Sequence, residues 1–123
     1  MTVRRLVALV VLSTAFACGS NHAMTGRVIA GASPDVGKRL ISQYGCGSCH
    51  EIPGVRGAAG LVGPPLTKFG RRGFIAGELA NTPDNLIRWI QHPRAVEPST
   101  DMPELGVTPD DARNIAAYLE QLG

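Results

Sequence analysis

Two cysteines and a histidine stand close together in the stretch CGSCH, residues 46 to 50. Cys46 and Cys49 are one helical turn apart, and His50 follows the second cysteine directly. Two thiols at this spacing can add to the two vinyl groups of a haem, and the imidazole that follows can reach the iron. The pattern therefore predicts one covalently attached c-type haem, with His50 as an iron ligand.

The same residues have other possible uses, which the sequence supports less well. A redox-active C-x-x-C pair is typical of a thioredoxin-like βαβ unit, and the sequence has no such pattern. A structural zinc site needs about four ligands, and the sequence contains no second cluster of cysteine and histidine. A disulfide between Cys46 and Cys49 would leave His50 without a role. Chance occurrence of the five-residue motif is the remaining alternative.

An iron bound by His50 on one face needs a ligand on the other. Met102 lies in the proline-containing stretch EPSTDMPELG, where a loop can bring its thioether to the opposite face. His50 and Met102 together would fill both axial positions and raise the reduction potential relative to two histidines, which favours electron transfer over catalysis. His92 ends a predicted helix, where exposure or an interaction with the helix end is expected. The remaining candidates are His22 and Met24.

The elements that must position these residues begin with a repeated signal. Ser33-Pro34-Asp35, Thr82-Pro83-Asp84 and Thr108-Pro109-Asp110 each supply a capping hydroxyl, a proline at the first helical position and an acid in the first turn. We expect helices over 34–45, 83–92 and 109–121, each with an apolar stripe. Thr108 and Asp111 also have the spacing of a capping box. Residues 51–77 are rich in glycine and proline and predict a loop with room for one short helix.

Size and composition agree with a fold built around something other than protein. The chain has 123 residues, and only 5% of them are aromatic. A small domain buries a small share of its surface and often depends on a metal, disulfides or a cofactor. No segment alternates for long enough to predict a sheet. The sequence thus predicts one all-α domain, with three main helices and long loops around a covalently bound haem.

The N-terminus has the order of a secretory signal. Arg4 and Arg5 precede the apolar stretch 6–17, which is too short to span a bilayer. Residues 1–17 are therefore predicted to be a signal peptide, and a buried helix fits this charge-then-apolar order poorly. Cys18 follows a small-x-small pattern, as in bacterial lipoproteins, and its acylation would anchor the domain to a membrane in the periplasm. A soluble periplasmic form is the alternative. Residues 18–32 are expected to be a flexible tether, and 33–123 the haem domain.

Charge does not indicate a nucleic-acid partner. Loss of Arg4 and Arg5 with the signal would leave ten basic and ten acidic residues. The two signs are segregated, however, with six basic residues in 56–94 and six acidic residues in 97–123. This distribution is either scattered solvated charge or a dipolar surface that orients a protein partner.

The chain resembles the class I cytochromes c across about residues 34 to 121. The stretch GKRLISQYGCGSCH is similar to the first helix of that family and its haem site. By this resemblance, Gly37 is the small residue that lets the first helix approach the last one, with Tyr118 opposite it. GPPL, residues 63 to 66, resembles the Gly-Pro turn of the family. The resemblance implies that the Pro64 carbonyl accepts a hydrogen bond from the Nδ1–H of His50.

The stretch from GPPL to MPELG is similar to the cytochrome c domain of subunit II of caa3-type oxidases, and to stand-alone cytochromes of that type. This resemblance implies that Arg71 or Arg72 meets a haem propionate and that Trp89 lies beside the haem near Met102. Solvated arginines and ordinary core packing of Trp89 are the alternatives.

The sequence shows no copper-binding motif and no spanning helix, so a separate carrier or adaptor is expected rather than an oxidase subunit. Because His50 and Met102 would fill both iron positions, the protein is expected to be an electron carrier and not an enzyme. It would pass single electrons between a respiratory donor and a terminal oxidase or another acceptor. The alternatives are an accessory haem subunit of a larger redox complex, and a haem sensor or enzyme that binds a small molecule.

Overall fold

The computed structural model describes residues 26–123, so the predicted signal peptide, Cys18, His22 and Met24 lie outside the described residues. Within this range the chain forms four α-helices, two short 3₁₀ turns and one small hairpin. The helices are α1 Pro34–Gln43, α2 Pro83–Gln91, α3 Pro93–Val96 and α4 Pro109–Glu120. None of the helices in residues 26–123 is long and apolar enough to cross a bilayer.

The three long helices begin at the prolines where the sequence places them. The hydroxyls of Ser33, Thr82 and Thr108 each accept a hydrogen bond from the backbone N–H three residues later, at 3.2 to 3.4 Å. These bonds satisfy N–H groups that have no partner inside the helix. Ser33, Thr82 and Thr108 therefore cap the N-termini of the three long helices, as their sequence pattern predicts.

The helices end slightly earlier than expected, and a fourth helix is present. The first helix stops before Gly45, whose φ of 72° turns the chain into the left-handed region. The second stops before Pro93, and the four-residue helix α3 starts at that same proline. A proline disfavours helical geometry in the residue before it, so the preceding helix stops there. The same proline suits the first position of a new helix, so Pro93 both ends α2 and begins α3.

The first and last helices pack directly on one another. Gly37 is buried in α1 and lies against the backbone of α4 at Asn114. Around this contact Ile41, Ala112 and Ile115 are at most 2% exposed. Tyr118 lies one turn further along α4, and its hydroxyl donates to the carbonyl of Pro53 at 2.7 Å. The close approach at Gly37 is thus made with the backbone of Asn114.

A two-stranded antiparallel hairpin is the one element of sheet in residues 26–123. It pairs β1 Phe74–Ile75 with β2 Leu79–Ala80. Strands of two residues are too short for an alternating pattern, so the sequence does not predict them. Asn81 follows the hairpin and is 3% exposed, and its amide donates to the carbonyls of Phe69 and Arg72 at 3.2 Å each. These bonds attach the hairpin to the 3₁₀ turn Phe69–Arg71.

Residues 26–32, which were expected to belong to a flexible tether, pack on the domain. Ile29 is 8% exposed, and the Arg27 guanidinium contacts the Glu120 carboxylate at 3.0 Å. Gly26 lies against the carbonyl oxygen of Glu120, where a Cβ would leave no room. The ordered fold therefore begins before residue 33. These contacts are made by individual residues and not by the face of a helix or strand. The sequence of this segment therefore shows no hydrophobic periodicity that would predict its packing.

Candidate functional site

The helices and loops surround a cavity of about 540 Å³. Its volume is within the range of about 300–1,000 Å³ that is usual for cofactor sites. The walls are mostly apolar, with side chains from three helices and from the loops between them. The apolar helix residues in the wall are Ile41, Leu86, Trp89, Ile90, Ile115 and Leu119.

Both cysteines and His50 line this cavity. The left-handed Gly45 leads into the 3₁₀ turn Cys46–Ser48, and the N–H groups of Cys49 and His50 donate to the Cys46 carbonyl at 3.3 and 3.0 Å. This turn brings two thiols and one imidazole to the wall of the cavity. The cysteines are separate thiols rather than a disulfide. Burial raises the pKa of the Cys46 thiol, which therefore stays protonated at neutral pH.

The imidazole of His50 is oriented by the loop that follows it. Its Nδ1 lies 2.7 Å from the carbonyl oxygen of Pro64, and because a carbonyl only accepts, Nδ1 carries the proton. The other ring nitrogen, Nε2, then has its lone pair available for a metal. Gly63 covers the ring, since a Cβ at this position would lie 2.3 Å from His50 Cε1. The Gly63 N–H also donates to the Cys49 carbonyl at 2.8 Å, which fixes the loop beside the ring.

Met102 reaches the same cavity from a different loop. Its side chain is half-buried, and its backbone N–H donates to Thr100 Oγ1 at 3.2 Å. Glu97 organises the start of this loop, where its carboxylate accepts hydrogen bonds from the hydroxyl and the N–H of Ser99. These bonds lower the pKa of Glu97. The loop that carries Met102 is therefore held by local polar contacts.

Of the other residues predicted to bind or contact the haem, some line the cavity and others do not. His92 is exposed, joins α2 to α3 and is outside the cavity wall. Trp89 is half-buried and lines the cavity. Of the two adjacent arginines, Arg72 lines the cavity whereas Arg71 is exposed and does not.

Several cavity residues were not singled out from the sequence. Gly63 belonged to a recognised turn, but its packing on the His50 ring needs the folded chain. Other apolar wall residues lie outside the helices, where no helical periodicity marks them; they include Val62, Leu66 and Leu105 in loops and Phe74 in β1. Val62, Phe74 and Leu105 are 77%, 65% and 41% exposed, so burial does not mark them either.

The donor set and the walls fit a haem. Two thiols and an oriented imidazole lie on one turn, a thioether comes from a separate loop, and the space between is largely apolar. Within residues 26–123 there is no cluster of three His, Cys, Asp or Glu side chains that could hold a metal ion by itself.

Comparison with known proteins assigns the class. The family model described as cytochrome c matches residues 35–123. The chain is also 34% identical over 87 residues to cytochrome c oxidase subunit 2 of Alkalihalophilus pseudofirmus. That match spans 70% of this chain but 25% of the relative's length.

The chain belongs to the cytochrome c family and is a class I c-type cytochrome. It has the cytochrome c fold and is largely helical with little sheet. Membership of the family implies a covalently bound haem c.

Proposed function

We propose that this cytochrome holds its haem through thioethers to Cys46 and Cys49, with His50 and Met102 as the two axial ligands of the iron. One observation carries the proposal. Two thiols, one imidazole with its Nδ1 proton on a carbonyl, and one thioether all line a single apolar cavity.

A bound haem supplies one-electron chemistry at its iron. The residues of this chain would determine what that chemistry can do. Pro64 holds the proton of His50 on Nδ1 and so directs Nε2 toward the metal. Met102 would take the second axial position, which leaves no coordination site for a substrate. The apolar walls would exclude water and so limit the rearrangement that a change of charge requires. Methionine opposite histidine also favours a higher potential than two histidines.

We infer that the electrons pass within a respiratory chain, from a donor to a terminal oxidase or another acceptor. The relative that supports this is a subunit of cytochrome c oxidase, of which this chain matches one quarter. We propose a carrier that serves such an oxidase, with the oxidase as its partner. An accessory role within a larger redox complex would instead require the protein to copurify with its partners.

We propose that the protein acts outside the cytoplasm. The basic and then apolar order of residues 4–17 supports export, and Cys18 is the proposed site of lipid attachment in the periplasm.

The haem and its ligands can be tested together. Mass spectrometry of protein matured in a periplasm should report one haem in addition to the polypeptide. Met102→Ala should abolish the methionine-to-iron charge-transfer band and lower the reduction potential. His92→Ala is the matched control, because this exposed histidine lies outside the cavity wall, and it should keep the band.

Two results would contradict the proposal. A band that survives in Met102→Ala would mean that another residue binds the iron. Rapid binding of carbon monoxide by the reduced wild-type protein at neutral pH would show an open coordination site, and would favour a sensor or an enzyme over a carrier.

A further inference from the structure

Few hydrogen bonds hold the loop that carries Met102. Residues 101–106 make one hydrogen bond within the described chain, from the Met102 N–H to Thr100 Oγ1 at 3.2 Å. The next bond along the chain is the one that the Gln91 side chain donates to the carbonyl of Val107 at 3.4 Å. The position of Met102 therefore depends mainly on the residues that precede it.

Glu97 supplies three hydrogen-bonding groups at the start of this loop. Its N–H donates to the carbonyl of Pro93 at 2.9 Å and closes α3. Its carbonyl accepts from the N–H of Thr100 at 3.1 Å. Its carboxylate oxygen Oε1 accepts from the N–H of Ser99 at 2.9 Å and from the Ser99 hydroxyl. Because the Pro93 side chain is fully buried, Glu97 ties the loop to a fixed point in the fold.

A continuous path of these bonds leads from Glu97 to Met102. Thr100 is bonded to Glu97 through its N–H and to Met102 through its hydroxyl. The bonds from Ser99 lower the pKa of Glu97, so its carboxylate is ionised at neutral pH. Hydrogen bonds to an ionised acceptor are stronger than those between neutral groups. All the bonds of this path join residues between 93 and 102, so the loop itself builds the path.

We propose that Glu97 is a positioning residue that holds residues 97–102 in the arrangement that directs the Met102 side chain into the cavity. The inference rests on the proposed function, in which Met102 is an axial ligand of the iron. Glu97 itself binds no metal. It acts through Ser99 and Thr100, and it raises the free energy needed to move Met102 off the iron. The alternative is a carboxylate that acts by its charge alone, which would require none of these hydrogen bonds.

Displacement of Met102 by a small neutral ligand measures this free energy. Imidazole can replace the thioether only when the loop moves away from the iron. Its apparent affinity for the ferric holoprotein therefore rises when the loop is held less firmly. Because imidazole is mostly neutral at about pH 8, the loss of a nearby negative charge should change its affinity little.

The test compares Glu97→Ala with Glu104→Ala in the holoprotein. Both variants remove one negative charge from the stretch around Met102, but Glu104 is exposed and makes no hydrogen bond within residues 26–123. For Glu97→Ala we expect imidazole to bind about tenfold more tightly, as the loss of two hydrogen bonds of modest strength predicts. Glu104→Ala should stay within about twofold of the wild type.

Two further variants show whether the acceptor of Glu97 is what matters. Glu97→Gln loses the charge but keeps a side-chain oxygen that can accept from Ser99, so its imidazole affinity should be lower than that of Glu97→Ala. Ser99→Ala removes one donor and should raise the affinity by a smaller factor than Glu97→Ala does. In the background of Glu97→Ala it should add nothing, because the same bond is already lost.

Equal imidazole affinities of Glu97→Ala and Glu104→Ala would overturn the role of Glu97, and so would a Glu97→Gln variant that binds imidazole as tightly as Glu97→Ala. If Glu97→Ala yields no holoprotein, Ser99→Ala decides, and an unchanged affinity in it overturns the inference. The proposed function survives these results as long as the wild type shows the methionine-to-iron band. A wild type without covalent haem or without that band would contradict the proposed function itself.

Discussion

The hydroxyl of Tyr44 donates a 2.7 Å hydrogen bond to the carboxylate of Asp111. Tyr44 caps the end of α1 and lines the cavity, while Asp111 lies in the first turn of α4, so the bond joins two helices at the edge of the haem site. This hydrogen bond raises the pKa of Tyr44, because ionisation would remove the proton that the carboxylate accepts. Neutral tyrosine is therefore the form that the fold favours.

Tyr44→Phe should lower the stability of the holoprotein at neutral pH. The folded-state pKa of Tyr44 lies above the unfolded value of about 10, so its contribution is complete below that pH and is lost as pH rises through the folded pKa. The wild type should thus lose its advantage over Tyr44→Phe in strongly alkaline solution. Urea unfolding at a series of pH values between about 7 and 11 measures this convergence.

Asp111→Asn supplies the partner variant for this hydrogen bond. The double variant should lose less stability than the sum of the two single losses, because either change alone removes the same bond. Equal stability of Tyr44→Phe and the wild type at neutral pH would contradict the prediction.

The starts of the helices could be predicted because each is decided within four residues. Ser33, Thr82 and Thr108 bond to N–H groups three positions away, and proline with the following acid adds to the same local signal. The pattern of Cys46, Cys49 and His50 is equally local, since one turn brings all three to the cavity. Such features depend little on the rest of the fold.

Contacts between distant segments could not be predicted in the same way. Asp111 has capping-box spacing, and its N–H does bond to Thr108, yet its carboxylate binds Tyr44 on another helix. The resemblance implies that Arg71 or Arg72 meets a propionate, and nothing in the sequence around Arg72 predicts that its guanidinium also bonds the carbonyls of Pro65 and Thr67. The hydrogen-bond partner of a polar side chain depends on which segments the tertiary fold brings beside it. A local sequence pattern does not carry this information.

Gly37→Ala should destabilise the holoprotein by about 3 kcal/mol, at the upper end of the usual cost of overpacking. A Cβ at this position would lie 1.9 Å from the carbonyl oxygen of Asn114, and this is backbone that cannot rotate away. The two helices would have to separate. Urea unfolding of the variant and the wild type measures the loss.

Gly73→Ala is the matched control for this substitution. A Cβ on Gly73 would meet nothing within 4 Å, and its φ is not in the left-handed region. Its stability should therefore stay near that of the wild type. An equal loss in the two alanine variants would show that the helix contact is not the cause.

Cys18→Ser should move the protein from the membrane fraction to the soluble periplasm, because serine cannot carry the proposed thioether-linked lipid. Fractionation of cells that produce each form, followed by mass spectrometry of the mature N-terminus, measures the change. The haem absorption of both forms should be the same, since Cys46 and Cys49 remain. Equal membrane association of the two forms would contradict acylation.

Arg27→Gln should destabilise the holoprotein by about 2 kcal/mol. Glu120 is fully buried, its Oε1 has no hydrogen-bond partner in the described residues, and its Oε2 is bonded to Arg27 at 3.0 Å. Removing one partner of a fully buried pair costs about 3–5 kcal/mol, and the smaller figure here reflects the 40% exposure of the Arg27 side chain. Arg39→Gln, at an exposed arginine on α1, is the control and should change stability by at most about 0.5 kcal/mol.

A second substitution shows whether the charge of Glu120 is what makes the loss of Arg27 costly. In the background of Arg27→Gln, Glu120 is a buried carboxylate without its cation, so the further change Glu120→Gln removes an unpaired charge and should recover part of the lost stability. In the wild-type background, Glu120→Gln should instead be destabilising, because it weakens the bond that Arg27 makes to this end of α4. Two losses that simply add would contradict this prediction, because they would show no coupling between Arg27 and Glu120.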